Sequence, residues 1–263
     1  MYSEEHRLFV KKQKQRAFWI RFFQVFILIL FLIIWQLLAN FHVINTFISS
    51  SPARIYNTFI GLLKANNLLH HVWVTLYETL LSFGIGTLLG CFIAAILWWN
   101  PFLAKVVDPY LTILNSLPKV ALGPIIIIWF GAGMKSIIIM ALLISVIITI
   151  INVHQSFQDT DENKIKLMQS FHANKRQTFF KLILPSNYST IISAFKINIS
   201  MSFIGVIMGE FLVSKEGIGY LIMYGSQVFN LDLVMFGIIL LCFLSAILYY
   251  IILYFERKMK KGK

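Results

Sequence analysis

Long apolar runs alternate along this chain with short basic segments, and that alternation constrains the fold more than any other feature of the sequence. Runs such as residues 22–38 and 233–255 reach or approach the ~20 apolar residues that cross a ~30 Å hydrocarbon core. Of the 263 residues, 58% are hydrophobic and 13% charged, whereas a soluble domain carries about a quarter charged residues. The expected fold class is therefore an all-α membrane protein with little chain left for a soluble domain. The net charge of +12 does not point to nucleic acid, because the basic residues flank the apolar runs and so report topology. Cys91 and Cys242 lie inside apolar runs, which argues against a disulfide framework, and neither has metal-ligand company. The basic N-terminus resembles a signal peptide, yet its apolar stretch is long and no small-x-small site follows at residues 37–41. An uncleaved first span is expected.

Six spans fit, near residues 20–40, 72–98, 107–131, 136–155, 188–212 and 231–255. An even number puts both termini on one side. Lys and Arg number 17 across residues 1–21, 99–106, 156–187 and the tail after 255, against four (Arg54, Lys64, Lys135 and Lys215) on the other face. That asymmetry predicts cytoplasmic termini and a cytoplasmic 156–187 loop. The corresponding organisation is a cytoplasmic segment 1–21, a first span with an outer helix over 22–67, a transmembrane unit 68–256 holding the loop 157–187, and a tail 257–263.

After the first span, Ser51 and Pro52 form an N-cap followed by proline, and Ile55, Phe59, Leu62 and Leu63 recur at helical spacing. This predicts a short amphipathic helix on the outer surface, too short to span. The second span contains Gly84, Gly86 and Gly90 and the fifth Gly205 and Gly209, so each carries a G-x-x-x-G. Such glycines let helix backbones approach closely in lipid; packing within the subunit or its dimer is one reading and substrate contact the other. The third span is interrupted by Pro109, Leu117-Pro118-Lys119 and Gly123-Pro124. Broken backbone at membrane depth is tolerated where protein or a water-filled cavity satisfies it. Pro118, Lys119 and Gly123 are therefore candidate lining of a pathway, alongside the alternative of a packing break alone.

Ionisable residues within the spans are Glu78, Asp108, Lys119, Lys196 and Glu210, and each must face the bundle interior or reach an interface. Lys196 and Glu210 stand about 21 Å apart along one helix and cannot pair; both admit either snorkelling or a role at the pathway. Lys119 admits a solute contact, favouring an anion, or a salt bridge to Asp108. No enzymatic constellation assembles. The six histidines show no i,i+4 pair, so a metal site is not expected. Residues 131–136 superficially resemble a P-loop, but Met134 rather than glycine precedes Lys135, so ATP hydrolysis by this chain is not expected.

The 157–187 loop is unusually apolar for an aqueous segment. Asp159 with Glu162 and Asn174 with Gln177 have capping-box spacing, predicting two short helices that meet near His172-Ala173. The first carries Ile165, Leu167 and Met168; the second carries Phe179, Phe180, Leu182 and Ile183 and ends at Leu184-Pro185. Either the pair tucks against the ends of its own spans or its tip (Phe171, His172, Ala173) meets a soluble partner.

From Lys166 to Pro185 the loop resembles the EAA loop of type I ABC importer permeases, which runs E-A-A, then glycine, then a terminal leucine-proline. Lys166, Leu167 and Met168 stand at the triplet and His172 at the glycine. Ser51-Pro52, Leu117-Pro118, Gly123-Pro124, Trp129 to Gly133, Gly209-Glu210 and Gly217 to Ile222 extend the likeness across about four-fifths of the chain. The ensemble is similar to the nitrate, sulfonate and taurine branch, which includes thiamine- and riboflavin-related permeases. The resemblance implies a homodimer, two copies of an ABC ATPase carrying ATP and Mg, and an extracytoplasmic solute-binding protein. This chain itself would bind no cofactor. By the same resemblance, Lys166, Leu167, Met168, Ser170, Phe171, His172, Ala173 and Pro185 couple it to the ATPase. Glu210 joins Pro118, Lys119 and Gly123 as a pathway candidate. The alternative function is an ion-gradient-driven secondary transporter, which needs a carboxylate relay near the midplane.

Overall fold

The computed structural model describes residues 4–261, and these are helical, with no strand among them. Five helices are long and apolar enough to cross a bilayer: α1 (Glu4–Asn40), α3 (Leu68–Trp99), α6 (Met134–Gln158), α9 (Tyr188–Val213) and α11 (Leu231–Lys261). Between α1 and α3 lies α2 (Pro52–Lys64), whose N-cap Ser51 accepts a hydrogen bond from the Arg54 amide, as the Ser-Pro pair predicts. Arg54 then reaches across the fold to Asp232 at the start of α11 (Nη2 to Oδ2, 3.0 Å), and Ser50 donates to the same carboxylate at 2.6 Å. That cluster ties α2 to the last span.

The interrupted third span expected over 107–131 is built as two helices, α4 (Pro101–Ser116) and α5 (Gly123–Phe130), with the chain after the break bent by 89° from α4. The helix begins earlier because Asn100 caps it, its side chain accepting from the Leu103 amide ahead of Pro101. The chain turns at Leu117, held extended at ψ 139° by the proline after it, and then forms a 3₁₀ turn over Lys119–Leu122. Pro109, by contrast, sits inside α4 without breaking it.

The centre of the fold is α6, packed between α3 and α9. The glycines expected to pack helices do so within this one chain. A Cβ on Gly86 or Gly90 would overlap Ser145 or Thr149 of α6; on Gly205 or Gly209 it would overlap the backbone of Ala141 or Ile137. Small residues on both α3 and α9 thus let α6 approach from either side, which is how helices associate when lipid removes the hydrophobic drive. Gly84, two residues before Gly86 and so about 200° around α3 from it, faces open space. Beyond α9, α10 (Ile218–Gln227) folds back and packs with α11 around Ile207, Ile218, Ile222 and Leu244. The outlier is α1. Its apolar stretch is almost wholly exposed within the chain, and at 37 residues it extends about 55 Å, well beyond the hydrocarbon core.

Candidate functional site

The segment between α6 and α9 folds as the helix pair expected, with two changes. The first helix, α7 (Glu162–Ser170), is capped by Asp161, which accepts from the Asn163 amide at 2.8 Å, and not by Asp159. Asp159 instead ends α6 and accepts from Gln155. At Asn174 the capping box is complete: its side chain accepts from the Gln177 amide at 2.8 Å, and the Gln177 side chain accepts from the Asn174 amide at 2.9 Å. The second helix, α8 (Lys175–Thr178), does not stop at Leu184-Pro185. It widens into a π turn over Phe179–Ile183 and continues through Leu184–Ser186. Widening accommodates Pro185, which would clash with the preceding turn of a regular α-helix and has no amide to donate.

Between α7 and α8 the chain reverses at His172, φ 53°. The Ala173 amide donates to Met168 O (3.0 Å) and the His172 amide to Gln169 O (2.8 Å), the paired bonds of a Schellman ending, which calls for a left-handed residue at this position. His172 meets that demand at a steric cost.

The base of the pair is fixed to the bundle. Phe179 is buried among Trp98, Trp99 and Phe157, with ring centroids 5.0, 5.0 and 5.6 Å away. Ile183 is fully buried with Ala94, Val153 and Ala194. Asn187 accepts from Ser156 (2.8 Å) and donates to Thr160 (2.7 Å), and Lys175 donates to Trp99 O at 2.6 Å. The other face is open: Leu167, Phe171 and Phe180 are exposed, Phe171 to 73%. The first sequence reading of the loop holds for its base. The base tucks against the spans while the tip, with Lys166, Ser170, Phe171 and His172, projects from them; Met168 and Ala173 are half-buried and Pro185 is exposed.

The pathway candidates do not form one group. Pro118, Lys119 and Gly123 lie at the bend, where Gly123 meets Leu212 and Met140 too closely for a side chain. Lys119 does not pair with Asp108. Its Nζ folds back to Asn115 O at 2.9 Å, capping the end of α4. Glu210 is two residues from Leu212, about 200° around α9, and faces the opposite way.

Nor does Glu210 snorkel: it is 1% exposed and accepts from Thr75 Oγ1 of α3 (2.6 Å) and from the Gly219 amide at the start of α10. Thr75 Oγ1 in turn accepts from the Ile218 amide at 2.8 Å, and His71 Nδ1 from the Gly217 amide at 3.0 Å. Three side chains thereby satisfy the first amides of α10, and the carboxylate sits where a helix N-terminus favours negative charge. Gly217, at φ 97°, lies against the Glu210 carboxyl with no room for a side chain. Glu78 stands beside Glu210 and is 3% exposed. Lys196, the other ambiguous charge, pairs with Glu256 of α11 at 2.6 Å. Thr75 and His71 were not singled out as a site by sequence; the cue available was Gly217-x-Gly219 downstream of an in-span glutamate.

The chain is similar to known proteins in both sequence and fold. Residues 86–261 match the family described as binding-protein-dependent transport system inner membrane component. A Bacillus subtilis protein named for transport of aliphatic sulfonates is 25% identical, over 88% of this chain and 83% of that one. A formylaminopyrimidine transport permease of Halalkalibacterium halodurans is 26% identical, over 73% of this chain and 76% of that one. Among solved structures, a chain of the methionine ABC transporter in an inward-facing conformation superposes with a TM-score of 0.62 at 19% identity. The superposition covers 73% of this chain and 94% of that one. With a family match across most of its length and helices suited to a bilayer, the chain belongs to the binding-protein-dependent transport system inner membrane components, as a multi-pass ABC importer permease.

Proposed function

We propose that this permease moves a small solute inward by alternating access, driven by ATP that a separate ABC ATPase hydrolyses, and that the tip of the α7–α8 pair is the coupling element. The observation that carries this reading is the division of the loop into a base locked to α3 and α6 and an exposed apolar tip. A force applied at Phe171 would reach the spans through Phe179 and Ile183 rather than be absorbed by a mobile connection. Coupling requires the tip to make different contacts in the two states of the partner.

In the assembly proposed, two copies of this chain meet two ATPases, which carry ATP and Mg, and an extracytoplasmic solute-binding protein. Lys166, Leu167, Met168, Ser170, Phe171, His172 and Ala173 face the ATPase, and Pro185 belongs to the same coupling element. The basic asymmetry supports a cytoplasmic position for this loop and both termini. The solute is a small anion of the nitrate, sulfonate or taurine kind or a vitamin precursor, the classes for which relatives are named. Replacing Phe171 or His172 with aspartate is expected to abolish uptake at normal membrane abundance. Undiminished uptake by both variants, at equal abundance, would remove the coupling role.

A further inference from the structure

At the end of the bundle away from the α7–α8 pair, the ends of α3, α6 and α9 surround an open cavity of about 550 Å³. Its wall includes Trp73, Tyr77 and Glu78 of α3, Met134 at the start of α6, and Lys215 and Glu216 after α9. Trp73 and Tyr77 are one turn apart, and both rings are largely exposed, Trp73 to 66%. Glu78 is the deep polar group: it is buried and hydrogen-bonded to the Glu210 carboxyl, while its Oε2 makes no hydrogen bond. The Glu210 oxygens are already used by Thr75 and Gly219. Glu216 is held at the rim by His70 at 3.1 Å, and Lys215 is exposed there.

A buried carboxyl oxygen without a donor is costly, and two adjacent carboxyls make a poor host for an anion. The one cation of this wall, Lys215, stands at the rim, and no cationic donor lies at its depth. What it offers is an acceptor at the floor and two aromatic faces at the side. The volume is also that of an organic ligand pocket, in the range of about 300–1,000 Å³, and far larger than an inorganic anion needs.

We propose that this cavity is a solute subsite for the N–H donor edge of a small planar nitrogen heterocycle, with Glu78 accepting from that edge and Trp73 and Tyr77 stacking on the ring. The proposal rests on the importer reading above and narrows its solute class, away from inorganic and sulfonate anions. Recognition by a fixed acceptor would also discriminate strongly against ring analogues lacking the donor, since the buried oxygen would again be left unpaired.

The test uses the permease assembled with its ATPase in lipid nanodiscs, without nucleotide, and follows thermal unfolding against 4-aminopyrimidine, taurine, nitrate and calcium. A ligand of the folded state raises the midpoint by mass action. The expected result is a dose-dependent rise with 4-aminopyrimidine alone, weakened about tenfold or more in Glu78→Gln. Trp73→Ala, an exposed position whose truncation leaves the core intact, is expected to weaken it several-fold. Phe171→Asp should bind the probe like the parent protein, so loss of coupling and loss of the subsite are separable. A rise with taurine or nitrate instead, or a calcium response that Glu78→Gln removes, overturns the proposal. So does the absence of any response combined with an unchanged or stabilised Glu78→Gln, which would assign the carboxyl pair to a shared proton.

Discussion

A left-handed backbone costs a residue with a side chain about 1–2 kcal/mol, and His172 adopts it at the turn of the coupling loop. Glycine there would relieve that cost while adding roughly 0.4–1 kcal/mol of unfolded-state freedom, which leaves a small net stabilisation on the order of 1 kcal/mol. His172→Gly is accordingly expected to retain uptake within about twofold. His172→Val, a β-branched residue at positive φ, should lower the thermal midpoint and uptake together; equal behaviour of the two variants would show that the turn carries no backbone strain. Thr75 gives a second residue-scale prediction, because one hydroxyl donates to Glu210 and accepts from Ile218. Thr75→Val should cost about 1–3 kcal/mol by leaving buried polar groups unpaired, read as a lower unfolding midpoint in detergent. At this scale the sequence was only partly legible. A turn near His172-Ala173 followed from the two capping-box spacings, but Glu210 stayed open between snorkelling and a pathway role because its partner Thr75 lies 135 residues away.

Helix packing was more legible, since the glycine spacing on α3 and α9 marks a face without reference to any distant residue. The structure adds which helix that face meets. A leucine at Gly205 would collide with the Ala141 backbone, and such overpacking costs roughly 1–3 kcal/mol or more. Gly205→Leu should therefore reduce folded abundance in the membrane, whereas Gly84→Ala, facing open space, should leave abundance unchanged. A tolerated Gly205→Leu would contradict the α6–α9 packing. The third segment was harder to read. Pro109, Pro118 and Pro124 all signal interruption, but only Pro118 holds its preceding residue extended. Pro124 begins a helix and Pro109 sits within one, and composition alone does not rank the three. The π turn was equally hidden: Leu184-Pro185 reads as an ending because an α-helix would end there, and the chain widens instead.

On the scale of the whole molecule, the fold is a central α6 clasped by α3 and α9, with a rigid helix pair at one end and a carboxyl-floored cavity at the other. The almost uncovered apolar stretch of α1 fits a helix that meets lipid or a second copy of the chain. In the proposed dimer, movement entering at the α7–α8 tips reaches α3 and α6 through Phe179. The most direct test of that account is solute uptake by proteoliposomes holding the permease, its ATPase and its binding protein, with ATP and ion gradients controlled separately. Uptake should require ATP and the ATPase, persist when the gradients are collapsed, and disappear in Phe171→Asp while the assembly remains intact. Uptake that follows an imposed ion gradient without the ATPase would contradict it.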